Sequence, residues 1–574
     1  MAVKPWVCDD EPSTRFPVFT RGNVGETFSE VVSPLTWSVY GPRAWDAGWR
    51  DAFCNIGLFT HDEFKPQGQC EIVGCFGGYV YINMSVTRVL AVRIPGMTVA
   101  SIDRSLFGDD PTVPPYIADP RDENAARTVD VSTWLASLFT VDPMPLSEQV
   151  WADVQEHLHG PAAPQLTDTQ LLERFRALTV PSRRLFERHV INTYGGNVLA
   201  SIVAQTAQAV NAGELAAQAV AGIGEIESAR QSFDLWDMSR LIRNSAALTA
   251  AFDLGIDGLL ERLQALPQAG AFLEHWSQFI VRWGFLGPNA WEFRSPTYRS
   301  DPRMALRMLD RVRATDDAAS PAARALQLRT QRDRAIADIG ARLSGNPQAQ
   351  SQFLGAARSV GLFMAARERS KSDCARVLDR ARDYIRELGE RLVAREILQR
   401  WQDVLMVADA EADRFVQEPR GFMPQIRQRA ALLEELQRRQ PPFVFSGEPP
   451  PLSAYKPRSS IASEQGSAGT TLTGIGVSPG RYTGRARVIH SLESDSELEP
   501  GEVIVAATTD ASWGPLFMAA GAVVVETGAT VSHAAIVSRE LGIPAAVSVA
   551  GATQRIRDGS MITVDGNAGT VVIH

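Results

Sequence analysis

The chain has 574 residues, 45% of them apolar and 21% charged, with a formal net charge of −9. That length exceeds one ordinary hydrophobic core, so two or three domains are expected, and the acidic balance gives no footing for a nucleic-acid partner. There is no apolar leader, no stretch of about 18 apolar residues, and no metal-pair spacing among Cys8, Cys54, Cys70, Cys75 and Cys374, which predicts a reduced, cytoplasmic protein without a membrane partner.

In chain order, residues 1–150 read as mixed structure, with turns and strands such as Gly78–Asn83. Residues 160–440 read as mainly helical. Stretches rich in Ala, Leu, Arg and Glu, including Leu326–Leu343 and Val377–Leu398, carry apolar residues at helical spacing. Core packing accounts for most of the tryptophans. Trp37, Trp283 and Trp291 are also candidates for an aromatic pocket. Glu292, Arg294, Arg367, Glu368, Arg369 and His275 are candidate bases or cations for a group-transfer site, although each charged residue reads more readily as a surface ion pair and His275 as a structural histidine. His157-Leu-His159 lacks the neighbouring carboxylate or cysteine that would complete a metal site, so no metal ligand is assigned.

Pro441, Pro442, Pro449, Pro450, Pro451 and Pro457, followed by a Ser- and Gly-rich run, predict a linker over 441–472, stiff first and flexible later. Fully extended, about 30 residues span roughly 100 Å. Beyond it, apolar runs at Arg487–Ile489, Glu502–Val505, Ala522–Glu526, Ala545–Val549, Met561–Val564 and Thr570–Ile573 predict a mixed sheet in a compact domain over 473–574. Gly474-Ile-Gly476-Val-Ser-Pro-Gly480 leads into a strand rather than a helix, which excludes a dinucleotide loop.

Within that domain, Thr527-Gly-Ala-Thr-Val-Ser-His533-Ala-Ala-Ile-Val-Ser-Arg-Glu-Leu-Gly-Ile-Pro544 places one histidine at the mouth of a helix. Ser532 is the expected N-cap, and Gly542 and Pro544 stop the helix. Unpaired N–H groups and the positive helix end favour a docked anion and disfavour imidazolium, leaving a neutral nucleophile. Thr527, Gly528, Ser532 and Thr508 are the expected phosphate-pocket residues around His533.

This string resembles the phosphohistidine segment of the phosphoenolpyruvate-utilising enzymes over about twenty positions, with Ala529 where the family usually has a second glycine. Gly474–Val488 resembles the opening of their swivelling domain. Asn23–Glu26, Ser33–Ser38, Gly78–Asn83, Phe279–Gly284 and the stretch from Arg367 to Leu405 resemble, in order, the acceptor region of rifampin phosphotransferase and its relatives. After Gly284 many relatives have a His-Arg or Arg-Gly pair, whereas this chain has Phe285-Leu-Gly-Pro-Asn289, which argues against a strongly polar acceptor. The resemblance implies a multidomain α+β protein: a large, mostly helical acceptor domain over 1–440 and a small α/β phosphohistidine swivelling domain. It implies phosphorylation of His533 and transfer to a hydroxyl. The layout is most similar to the histidine subunit of phenylphosphate and alkylphenol phosphate synthases, which implies a small hydroxylated aromatic substrate. No glycine-rich nucleotide cradle is seen, so ATP and Mg2+ are expected on a separate ATP-grasp subunit. Two alternatives stand: a rifampin-type antibiotic-inactivating component, and a phosphohistidine carrier with a regulatory role.

Overall fold

The computed structural model describes residues 6–107, 112–224, 226–317, 320–458, 466–490, 498–529 and 532–574. These divide into two compact units. The first holds the described residues of 1–196, 291–295 and 362–462, the second those of 197–290, 296–361 and 463–574. The boundary falls inside two long helices, Thr179–Ala209 and Pro347–Ala394.

The first unit combines helices with a four-stranded antiparallel sheet ordered Val73–Phe76, Tyr79–Asn83, Val18–Thr20, Val444–Ser446. Asn83 ends its strand and starts the next helix, Met84–Arg93, because its side chain accepts the Val86 N–H at 3.2 Å. Pro34 at the first helical position sets the start of Pro34–Tyr40. That helix passes through the wider turn Gly41–Trp45 into Asp46–Asn55. The Trp37 ring packs so closely there that a Cβ on Gly41 would lie 2.8 Å from it. Trp37, Trp45, Phe28 and Trp291 form an edge-to-face and tilted aromatic cluster in the core. Each buried ring contributes on the order of 1.5–3 kcal/mol through lost apolar exposure.

The first half of the expected linker is built into this unit. Among the prolines, Phe445 stacks on Phe19 at 5.4 Å and also packs on Phe76 and Tyr81. Its strand pairs with Val18–Thr20. Lys456–Pro457 pairs with Arg439–Gln440, and the Tyr455 ring is buried. Two aromatic anchors, Phe445 and Tyr455, thus outweigh the proline spacing that suggested a free tether. Residues 459–465 of that linker lie outside the described residues.

The second unit holds an eight-stranded sheet in the order Thr471–Thr473, Thr570–Ile573, Met561–Asp565, Arg481–Ile489, Val503–Ala506, Ala522–Val525, Ala545–Val547, Ile475–Ser478. Its centre, from Arg481–Ile489 through Ala545–Val547, is parallel, and the flanks are antiparallel. Val503–Ala506 and Ala522–Val525 are buried throughout, as strands covered on both faces must be. Helices Gly514–Ala519 and His533–Leu541 follow from these strands, and Glu227–Arg243, Arg303–Arg313 and Pro321–Arg342 pack against them. Among the described residues no helix is long and apolar enough to cross a membrane.

Candidate functional site

The carboxyl ends of two adjacent parallel strands, Val503–Ala506 and Ala522–Val525, carry the histidine loop and its neighbour. The Glu526 and Thr527 N–H groups donate to the Ala506 and Ala507 carbonyls at 3.0 Å each, which keeps the two loops side by side. Gly528 is forced by packing, since a Cβ there would lie 2.7 Å from that of Val547. Thr508 and Thr527 are half-buried on these two loops. Thr530 and Val531 of the motif lie outside the described residues. Ser532 then caps the helix: its backbone is extended and its Oγ accepts the Ala535 N–H at 3.2 Å. His533 is the first helical residue, 2% exposed, with its ring 6.0 Å from that of Phe517. Gly542 ends the helix in the left-handed conformation at φ 63°, as a glycine C-cap does. His533, Ser532, Gly528, Thr527 and Thr508 therefore belong to one sheet edge.

Further contacts hold this edge against the rest of its unit. The Asp510 carboxylate accepts from Ser512 N–H at 2.9 Å and from Asn289 N–H at 3.0 Å. It thereby ties the Phe285–Asn289 loop to the segment beside the histidine loop, and the Tyr298 hydroxyl donates to the Ser512 carbonyl at 3.0 Å. At the other end of the histidine helix, Glu540 accepts the Ile223 and Gly224 N–H groups at 3.1 and 3.2 Å. Trp283, in the same unit, is buried and its Nε1 donates to Asp234 at 2.6 Å, so it is a core anchor. His275 is exposed on its helix, with Nδ1 2.8 Å from its own Ala271 carbonyl.

The remaining sequence candidates lie in the first unit. Trp37 is buried and donates to Asp10 at 2.8 Å. Glu292 is 0% exposed, and its carboxylate accepts from Ser33 N–H, the Ser33 and Thr36 hydroxyls and Arg294 N–H. That geometry anchors the start of the Pro34–Tyr40 helix, and with the carboxylate fully buried Glu292 reads as a structural anchor rather than a base. Arg294 pairs with Glu30 at 3.2 Å. Arg367 and Glu368 form a buried ion pair.

Around Arg367 the first unit gathers a second constellation. A Cβ on Gly195 would lie 2.6 Å from the Phe363 ring, and one on Gly196 2.9 Å from Met364, so the Thr179–Ala209 and Pro347–Ala394 helices approach closely at this glycine pair. That approach brings His189 against Arg367 and Ser370: its Nδ1 is 3.3 Å from the Arg367 carbonyl and 3.4 Å from the Ser370 hydroxyl. The His189 ring lies 6.1 Å from Phe186, which meets Trp291 at 5.6 Å. Burial, then the charges of Arg367 and Lys371, hold the His189 imidazole well below its ordinary range. His189 escapes sequence reading because a single helix histidine carries no motif.

The second unit thus combines a mixed eight-stranded sheet, a buried histidine at a helix N-terminus and the helices packed against it. Residues 498–569 match the mobile domain of PEP-utilising enzymes, and residues 185–368 match the rifampicin phosphotransferase fourth domain. These two segments are thus similar to PEP-utilising enzymes and to rifampicin phosphotransferase. It is 43% identical over 148 residues to the prodigiosin synthesizing transferase PigC of Serratia marcescens, covering 25% of this chain and 17% of that one. It is 29% identical over 354 residues to a rifampicin phosphotransferase of Streptomyces sp, covering 60% and 39%. It is 30% identical over 197 residues to the uncharacterized phosphotransferase YvkC of Bacillus subtilis, covering 34% and 24%. The chain thus spans between 17% and 39% of the length of these three curated relatives.

Proposed function

We propose that this chain is the phosphohistidine-bearing, acceptor-binding component of an ATP-dependent phosphotransferase. His533 takes a phosphoryl group from an ATP-grasp partner that binds ATP and Mg2+, and passes it to the hydroxyl of a small aromatic of the phenol or alkylphenol kind. The observation that carries this reading is His533 at the N-terminus of its Ser532-capped helix, where helix N–H groups favour a bound anion and a ring nitrogen can attack phosphorus. The mobile-domain match and the names of two relatives as phosphotransferases support the reaction class. Two transfers at separate sites replace one direct displacement, which is the chemical use of a carried phosphohistidine.

The test is intact-mass measurement of wild type and His533→Ala after incubation with the ATP-grasp protein, Mg2+ and ATP, then with phenol or cresol. The expected result is one acid-labile phosphoryl adduct, absent in the variant and discharged by the phenol. No adduct with a proven active partner overturns the mechanism; an adduct that survives every phenol overturns the acceptor. The fourth-domain match supports a second reading, a rifamycin acceptor, for which rifampicin in place of phenol would discharge the adduct.

A further inference from the structure

We propose that His189 is the general base that removes the proton from the acceptor hydroxyl, a role that rests on the phosphohistidine reading above. The geometry is that of an oriented imidazole. Nδ1 faces the Arg367 carbonyl, an acceptor, so Nδ1 carries the hydrogen and the lone pair resides on Nε2. No hydrogen bond is seen at Nε2 among the described residues, on a side chain that is half-buried. One nitrogen is therefore tied down by the protein and the other is open, which is the division of labour a base needs.

Phe186, packed on Trp291 in the core, adjoins the His189 ring, and the charges of Arg367, itself paired with Glu368, and of Lys371 act on it. The other titratable groups nearby are committed. Glu292 is saturated by four donors, Glu368 is paired with Arg367, and Glu187 accepts from Asn55 at 2.6 Å. Burial and the two cations keep the His189 ring unprotonated at neutral pH, so the base is in its working form.

In the step, the phenolic O–H bond breaks and its proton passes to His189 Nε2. The oxygen lone pair forms the new O–P bond as the P–N bond to His533 breaks, and that electron pair returns to the His533 ring. With the second His533 nitrogen protonated, the leaving group is a neutral imidazole. The His189 imidazolium then gives its proton to solvent, and charge and protons balance.

The experiment uses the full chain, loaded on His533 by the ATP-grasp protein, as wild type, His189→Gln and His189→Ala. Discharge is timed with phenol and with 4-nitrophenol from about pH 5 to about pH 9. Loading is expected to be unchanged. Discharge to phenol should fall by about 10²–10⁴ fold in both variants, the usual worth of a positioned base. Discharge to 4-nitrophenol, which ionises without help near neutrality, should fall far less, and added imidazole should partly restore the reaction of His189→Ala with phenol. Wild-type discharge of phenol by both variants overturns the proposal. Equal losses with both phenols, without imidazole rescue, also overturn it and make His189 a packing residue. Failure of wild type to load overturns the phosphohistidine reading itself, and a loaded wild type that no phenol discharges overturns the aromatic acceptor and the base with it.

Discussion

Glu292 separates two roles that a carboxylate in this chain region can play, and the separation is measurable. Its two oxygens accept four hydrogen bonds at 2.7–3.1 Å, two of them from the backbone N–H groups of Ser33 and Arg294. Glu292→Ala leaves those N–H groups buried without an acceptor, each costing about 1–3 kcal/mol, and opens a space at a fully buried site. The expected loss is about 3–5 kcal/mol, comparable to breaking a buried charged network from one side. Glu292→Gln keeps the shape and one acceptor oxygen but turns an NH2 toward a backbone donor, for an expected loss of about 1–3 kcal/mol. The assay is urea unfolding followed by tryptophan fluorescence, with the first unit's transition fitted separately. Folded Glu292→Gln should still discharge phosphohistidine at a rate close to wild type. A Glu292→Ala protein as stable as wild type, with discharge abolished, would refute the anchor and restore Glu292 as a catalytic group.

Asp10 provides a test by pH. Burial, against hydrogen bonds from Cys75 N–H and the Trp37 indole, raises its pKa from 3.8 to about 7. A carboxyl with a raised folded-state pKa binds its proton more tightly when folded, so its contribution is fully present below about pH 4 and is lost as pH rises toward about 7. Wild type should therefore lose stability relative to Asp10→Asn across that window, by at most about 4 kcal/mol, as read from paired urea unfolding curves; a difference that does not change with pH would contradict the buried carboxyl. Gly195→Ala should cost about 1–3 kcal/mol, because its Cβ would lie 2.6 Å from the Phe363 ring. The same substitution should slow phenol discharge by displacing His189 from Arg367, while loading of His533 stays normal; unchanged stability and rate together would show that the two helices do not need the glycine pair.

The fold of 473–574 was legible because its determinants are local. Short valine-rich runs became the central strands, and Ser532, the apolar face of Ile536 and Val537, and Gly542 marked the start, packing side and end of the histidine helix. A cap and a left-handed stop act within a few residues of where they are written. The proline-rich stretch was misleading for the opposite reason. Composition pointed to a free tether, while Phe445 and Tyr455 decided its place through partners hundreds of residues away.

The histidine at the helix mouth, its capped helix and the strand pattern beneath it were thus legible in the sequence alone, since each depends on neighbours along the chain. Which carboxylate is an anchor and which imidazole is open was decided only by tertiary structure. Glu292 meets Ser33 across 259 positions, and His189 meets Arg367 across 178. At such separations a side chain's role is set by what packing leaves unbonded. Glu292 is held by four donors, His189 by contacts at Nδ1 alone, and neither outcome is written in the spacing of residues along the chain.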